Sequence, residues 1–507
     1  VRLTRAQLQA LAPPPKLSAQ ALRAREFAQK ALLGQSGLFE DALGQPIATE
    51  PPQSLAEIGI IVPADAEAGG DNEDAESEGP ESPATQLGEA AAAAMSLDGI
   101  DDLPGSGGIA ATPTFVERID GNSLGLYVPL QGHGPNSLAA FHQALRQFQN
   151  NAPSSPTPRK VRILAYGASH TQADIYTEYL RRYLQFRFGN GGQGFIATAR
   201  PNRWFRHLNF AIEQSRGWKI DRAQKKDARE DGYYGLLGAS ASSRSKRDYL
   251  RIVPRSPDDE TKAVTLYELM YLGQPRGGKA QIFIDGKLSA TISTRHAQTD
   301  ALVHTFRAPL GHHVVEIRPE GNGEVRLLGL NAERDEAGIV VDTLGISGTR
   351  AANQLKWNEP TWRKMVARRD PALYMLAFGT NEATDGDRPI ADYESQLRTV
   401  LSRFSEAAPN ASCLLIGPGD FAEKFDEQTW IQVPRLLEIA KAQEKVAKEF
   451  RCAYWDTLAF MGGAGTMALW TNSYPQMASR DHIHLTRRGY VRMGMQLTDA
   501  LMDGFDP

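Results

Sequence analysis

From residue 161 the chain reads Val-Arg-Ile-Leu-Ala-Tyr, an apolar run of strand length. It ends in Gly167-Ala168-Ser169-His170 and passes into an amphipathic segment over 174–188. That pattern predicts a strand, a tight turn and a helix. Just upstream, Leu138, Phe141, Leu145 and Phe148 recur near helical spacing and predict a helix over 137–149, closed by the linker 150–158, NNAPSSPTP. Four more short apolar runs lie at 338–344, 373–378, 413–416 and 453–456, with helical segments at 392–406, 434–450 and 486–502. Strands apolar on both faces and separated by helices predict a parallel sheet. With 161–166 there are five strands, which makes an α/β, doubly wound domain.

Residues 205–335 follow a different period. Short alternating stretches at 249–253, 264–271, 280–284, 290–293, 303–306, 313–317 and 325–330 are punctuated by Arg276-Gly277-Gly278 and Asp285-Gly286. Asp-Gly between alternating runs signals a hairpin. No helix-length segment interrupts them, so an all-β sandwich is expected, inserted between the first and second strands of the sheet. The chain then divides into an N-terminal region (1–114), a helix with the first part of the α/β domain (115–204), the inserted sandwich (205–335) and the second part of the α/β domain (336–507).

Charge separates the first of these regions from the rest. Between Ala31 and Glu117 there are seventeen Asp and Glu and no Lys or Arg, so all 56 basic residues lie elsewhere. Dense negative charge with few apolar residues over 64–83 does not repay the entropy of folding, and 45–112 is expected to be a disordered, solvated tether. The total charge of −4 points to no polyanionic partner, and no nucleic-acid-binding motif is present. No run of 18 apolar residues occurs, so no transmembrane helix is expected. The chain starts at Val1, as a processed or re-started product would, and 1–30 shows a helix-prone piece from Ser18 to Leu33 but no apolar signal core. Cys413 and Cys452 begin or precede neighbouring strands; free thiols are the default reading, and oxidation of both would favour an envelope location. Lys225-Lys226 and Arg244-Ser245-Lys246-Arg247 read as a solvated basic face, with an anionic envelope polymer as the sharper alternative.

The candidate chemistry sits at strand ends. Ser169 follows a buried strand at the mouth of a helix, where N–H groups and the helix dipole favour developing negative charge. Near the other terminus, Asp481-His482-Ile483-His484 places a carboxylate three residues before an imidazole that it can orient, and His484 can then activate the Ser169 hydroxyl. Gly345-Ile346-Ser347-Gly348 and Gly379-Thr380-Asn381-Glu382 follow two further strands and offer N–H donors for an oxyanion. Each block has a structural reading as well: a common turn, a capping Asp, a polar loop.

In this order, the four blocks resemble the SGNH (GDSL-like) hydrolase family over 160–205 and 336–505. The resemblance implies a five-stranded, flavodoxin-like α/β fold. It implies Ser169 as nucleophile, His484 as general base and Asp481 as its orienting partner. The oxyanion hole would come from the Ser169 and Gly348 N–H groups and the Asn381 side chain, Gly348 being chosen over Gly345 by position. No metal or organic cofactor is implied. Where the family carries Asp before the serine this chain has Ala168, which removes a brace of the turn, so a carbohydrate-binding pseudoenzyme is one alternative. The Ser169-His170-Thr171 continuation, the inserted sandwich and the Met461-Gly462-Gly463, Met467 and Trp470 stretch look like bacterial peptidoglycan O-acetylesterases and related carbohydrate esterases. The resemblance thus implies a serine acetylesterase acting on peptidoglycan or another O-acetylated polysaccharide, periplasmic or secreted and monomeric, with an O-acetyltransferase as the other alternative. Trp204, Tyr233 and Tyr234 are candidates for stacking on sugar rings.

Overall fold

The computed structural model describes residues 15–33, 119–132, 137–149, 159–424 and 430–505. Two helices, α1 (Ala19–Leu33) and α2 (Ala139–Gln149), precede strand β1 (Lys160–Gly167), the single-turn α3 (Ser169–Gln172) and α4 (Ile175–Phe188). Eleven strands follow: β2 (Gly192–Ile196), β3 (Phe210–Gln214), β4 (Lys219–Arg222), β5 (Ala239–Ser243), β6 (Leu250–Pro254), β7 (Val264–Gly273), β8 (Lys279–Ile284), β9 (Lys287–Ser293), β10 (Asp300–Gly311), β11 (Val315–Pro319) and β12 (Val325–Glu333). Alternation of helix and strand then returns with β13 (Gly338–Gly345), α5 (Glu359–Arg369), β14 (Pro371–Ala377), α6 (Ile390–Ala407), β15 (Ser412–Ile416), α7 (Arg435–Glu449), β16 (Ala453–Trp455) and α8 (Arg487–Met502). The acidic segment 45–112 lies outside the described residues.

The parallel sheet has the order β13-β1-β14-β15-β16. This is the doubly wound, flavodoxin-like order, and its ligand crevice belongs at the carboxyl ends of β1 and β14, where the winding reverses. Register makes that edge level: Gly167 of β1 lies beside Gly345 of β13 and Ala377 of β14. The strands are buried because helices cover the sheet; α4 packs on β13, α2 on β14 and β15, and α7 on β15 and β16. Helix α1 lies on α4 and α8 through Ala21, Ala24, Ala28 and Leu32, with Arg25 3.5 Å from Asp499. The chain rejoins the same body at Ile119, which pairs with Ser473.

Between β1 and β13 stand two antiparallel sheets, one ordered β9-β8-β11-β6-β3 and one ordered β10-β7-β12-β5-β4 with β2 also on β12. Buried charge joins the second of them to the parallel sheet. Arg369, at the end of α5, is 1% exposed and holds Asp342 of β13 through two bonds of 2.7 and 2.9 Å and Glu333 of β12 at 2.6 Å. Arg162 of β1 meets Glu333 from the other side, and Asp342 also accepts the Phe195 N–H of β2. Burial alone would raise the Glu333 pKa, but Arg369 and Arg162 bring it down to about 2.

One expectation is corrected. Cys413 and Cys452 are not free thiols but form a disulfide, their Cα atoms 4.7 Å apart, one on β15 and the other just before its neighbour β16.

Candidate active site

Strand β1 delivers Ser169 to the crevice. Gly167 is required by close approach: a Cβ there would lie 2.0 Å from the Thr171 Oγ1 and 2.9 Å from the Ala377 carbonyl. The chain therefore turns tightly into α3, whose first residue is Ser169, half-buried at the helix mouth. The first N–H groups of a helix have no acceptor within it, so they are available to an anion held there.

On the last loop, Asp481 has two tasks. Its Oδ1 accepts the N–H groups of Ile483 and His484, each at 3.0 Å, which shapes the loop. Its Oδ2 lies 2.9 Å from His484 Nδ1. His484 Nε2 is 2.7 Å from Ser169 Oγ. Residues 315 positions apart thus meet as hydroxyl, imidazole and carboxylate. Burial pushes the Asp481 carboxyl up, but its bonds and Coulomb attraction to His484 and the two N–H groups outweigh this and hold it below the usual range. An ionised carboxylate behind the imidazole keeps the proton on Nδ1, leaves Nε2 to accept the serine proton and stabilises the resulting imidazolium.

The Gly345 block lies against this turn, and the Gly379 block follows β14, the strand beside β1. Gly348 has φ +78°, in the left-handed region open to glycine, whereas Gly345 ends β13 packed on α3, where a Cβ would come within 2.4 Å of the Gln172 N. Asn381, in the single helical turn Thr380–Ala383, is buried and donates its Nδ2 to the Thr349 carbonyl at 3.0 Å. A primary amide has a second N–H to give. Glu382 is buried beside it and accepts the N–H groups of Ala351 and Gly379 at 2.8 and 2.9 Å; burial raises its pKa.

Two further residues pack around the serine turn, of which Gln172 belongs to none of the motifs. Gln172 ends α3, and its Oε1 accepts the Ser347 N–H at 2.8 Å and the Asn202 amide at 3.0 Å. It therefore links the serine turn to the loop bearing Gly348, with Ala168 carrying no side chain able to do so. His170 packs against His484 with the rings tilted by 31° and 5.0 Å between centroids, and shares a 2.9 Å hydrogen bond with Tyr490. The residue is half-buried, and burial, followed by the neighbouring His484, pushes its pKa down to about 3 against the opposing pull of Asp481. Of the proposed stacking aromatics, Tyr234 is buried in the core, while Trp204 and Tyr233 are half-buried. Trp470 is also core, packed on Phe460.

A flavodoxin-like sheet with Ser, His and Asp assembled at its switch point defines a carboxylic ester hydrolase of the SGNH type. Sequence comparison agrees: residues 319–492 match the GDSL-like Lipase/Acylhydrolase family, and the chain carries such a domain. The match contains the Gly348, Asn381, Asp481 and His484 blocks and begins after Ser169, which meets His484 only in the fold. Among solved structures, a peptidoglycan O-acetylesterase is 23% identical with a TM-score of 0.62, covering 74% of this chain and 99% of its own. A family two carbohydrate esterase from Cellvibrio japonicus is 13% identical, covering 59% of this chain and 99% of its own, at a TM-score of 0.24. No curated protein matches.

Proposed function

We propose that this protein is a serine esterase that removes O-acetyl groups from a carbohydrate polymer, with bacterial peptidoglycan as the foremost substrate. The observation that carries the reading is the 2.7 Å contact of Ser169 Oγ with His484 Nε2, backed by Asp481. Similarity of nearly the whole length of a peptidoglycan O-acetylesterase to this fold supports the choice of polymer. The Cys413–Cys452 disulfide supports a periplasmic or secreted location, because such bonds persist in oxidising compartments.

In this scheme Ser169 Oγ attacks the acetyl carbonyl carbon as its proton passes to His484 Nε2. The tetrahedral oxyanion is held by the Ser169 and Gly348 N–H groups and the free Asn381 N–H. Collapse expels the sugar oxygen, which takes the proton from His484 and leaves as the alcohol. Water, deprotonated by His484, then attacks the acetyl-serine; acetate departs and the serine recovers its proton.

The test is hydrolysis of 4-nitrophenyl acetate and release of acetate from O-acetylated peptidoglycan by wild type, Ser169→Ala and His484→Ala. Either substitution is expected to lower kcat by about a thousandfold or more. Equal rates in the three proteins would overturn the mechanism.

A further inference from the structure

Beside the serine turn lies a cleft of about 650 Å³ whose walls carry Arg200, Arg203, Arg206 and Arg255. Two bonds join its rim to the catalytic elements. Asn202, next to Arg203, donates to Gln172 of α3, and the Leu208 N–H donates to Asp174, which sits between α3 and α4, at 3.0 Å. The arginines converge through pairing of β3 with β6: Phe210 lies opposite Pro254, and the Arg255 Nε donates to the Phe210 carbonyl at 3.2 Å.

The charge in this cleft is unbalanced. Elsewhere in the protein, Arg162, Arg181, Arg229, Arg326 and Arg369 each reach a carboxylate. Among the described residues, none reaches Arg200, Arg203 or Arg255. The one acidic wall residue, Glu213, faces Arg251 at 3.9 Å. His207, also in the wall, is kept neutral chiefly by burial. Partial loss of solvation in the cleft, then repulsion from nearby Arg206, lowers the Arg255 pKa. Arg203 is held in place by the Trp204 ring, 4.3 Å beneath its guanidinium. The guanidinium groups of Arg203 and Arg255, held by Trp204 and the Phe210 carbonyl at an open cleft with no carboxylate reaching them, suit planar anions that accept paired hydrogen bonds.

We propose that this cleft is a subsite for the carboxylate groups of the polymer whose acetyl ester Ser169 cleaves, so that the enzyme selects an acidic glycan over a neutral one. The proposal rests on the esterase reading and narrows its substrate: a peptidoglycan strand carries carboxylates beside its sugars, whereas xylan backbones and chitin do not.

The test uses the full chain with Ser169→Ala, which binds without turnover, and calorimetry with two ligands. One is an O-acetylated muropeptide with free carboxylates; the other is the same fragment with those carboxylates converted to methylamides. The acid is expected to bind about tenfold more tightly, a preference that falls with added salt. Adding Arg203→Gln and Arg255→Gln, both exposed on the cleft wall, should reduce it to less than about twofold. The control Arg244→Gln removes an exposed arginine paired with Glu324 outside the cleft wall and should leave the preference intact. No preference in the parent, an unchanged preference in the cleft variant, or its loss in the control would overturn the subsite. Failure of the esterase reading shows separately, as acetate release independent of Ser169.

Discussion

Ala168 brings no polar side chain to the position just before the serine, and the turn still places Ser169 against His484. Gln172 supplies a brace by a different route, holding the Ser347 N–H from one turn further along the helix. Replacing it by leucine leaves a buried N–H without an acceptor, a loss of about 1–3 kcal/mol. Gln172→Leu is therefore expected to lower kcat for 4-nitrophenyl acetate more than it changes KM, because the loop it holds would act on the transition state. Gln172→Glu keeps the acceptor and should recover part of kcat; equal kcat in both variants would show that this bond positions nothing.

His170 makes a prediction about pH. Its folded pKa of about 3 lies below the ordinary histidine value of about 6.5, so protons bind preferentially to the unfolded chain. The stability it contributes is full above about pH 6.5 and is lost as pH falls toward 3, at about 1.4 kcal/mol per unit. Urea unfolding at pH 7 and pH 5 should show a smaller loss in His170→Asn than in wild type, by about 1–2 kcal/mol. An equal loss would mean that other groups carry the acid sensitivity.

Among elements, the pairing of parallel with antiparallel sheet depends on a few buried charges. Removing the Asp342 carboxylate with Asp342→Asn leaves the Arg369 guanidinium inside the protein with only part of its compensation, and unfolding free energy should fall by about 3–5 kcal/mol. A loss below about 1 kcal/mol, measured by denaturant titration, would contradict this account. The elements themselves are mostly legible in the sequence. Strands such as β1, β14 and β15 are apolar on both faces, and the catalytic blocks stand straight after them. Strand β2 is not legible, because Gly-Gln-Gly-Phe-Ile reads as a turn. Its glycines instead let the backbone lie close to its neighbours: a Cβ on Gly192 would be 2.3 Å from Glu333, and one on Gly194 2.6 Å from the Val341 carbonyl. Gln172 belongs to no periodic pattern, and the arginine cleft exists only once β3 has paired with β6. The two basic runs evident in the sequence lie elsewhere.

For the whole molecule, the Cys413–Cys452 bond closes a separation of 39 residues containing α7. A loop of that length corresponds to roughly 3–4 kcal/mol of stabilisation. The Cys413→Ala, Cys452→Ala double variant should unfold at a correspondingly lower denaturant concentration, and wild type should match it once reduced. If reduction leaves the wild-type midpoint unchanged, the bond contributes no stability.

Helix α1 adds a consequence of a different kind. It docks on α4 and α8, and the chain is fixed again at Ile119 beside Ser473, so the described chain on either side of the span 34–118 is held by the α/β domain. Ring closure grows more costly only with the logarithm of the span, and doubling it opposes docking by about 0.6 kcal/mol. The number of residues between the two anchor points can therefore change widely with little effect on how firmly α1 is held, and the dense negative charge they carry is retained as a permanent companion of a net basic body.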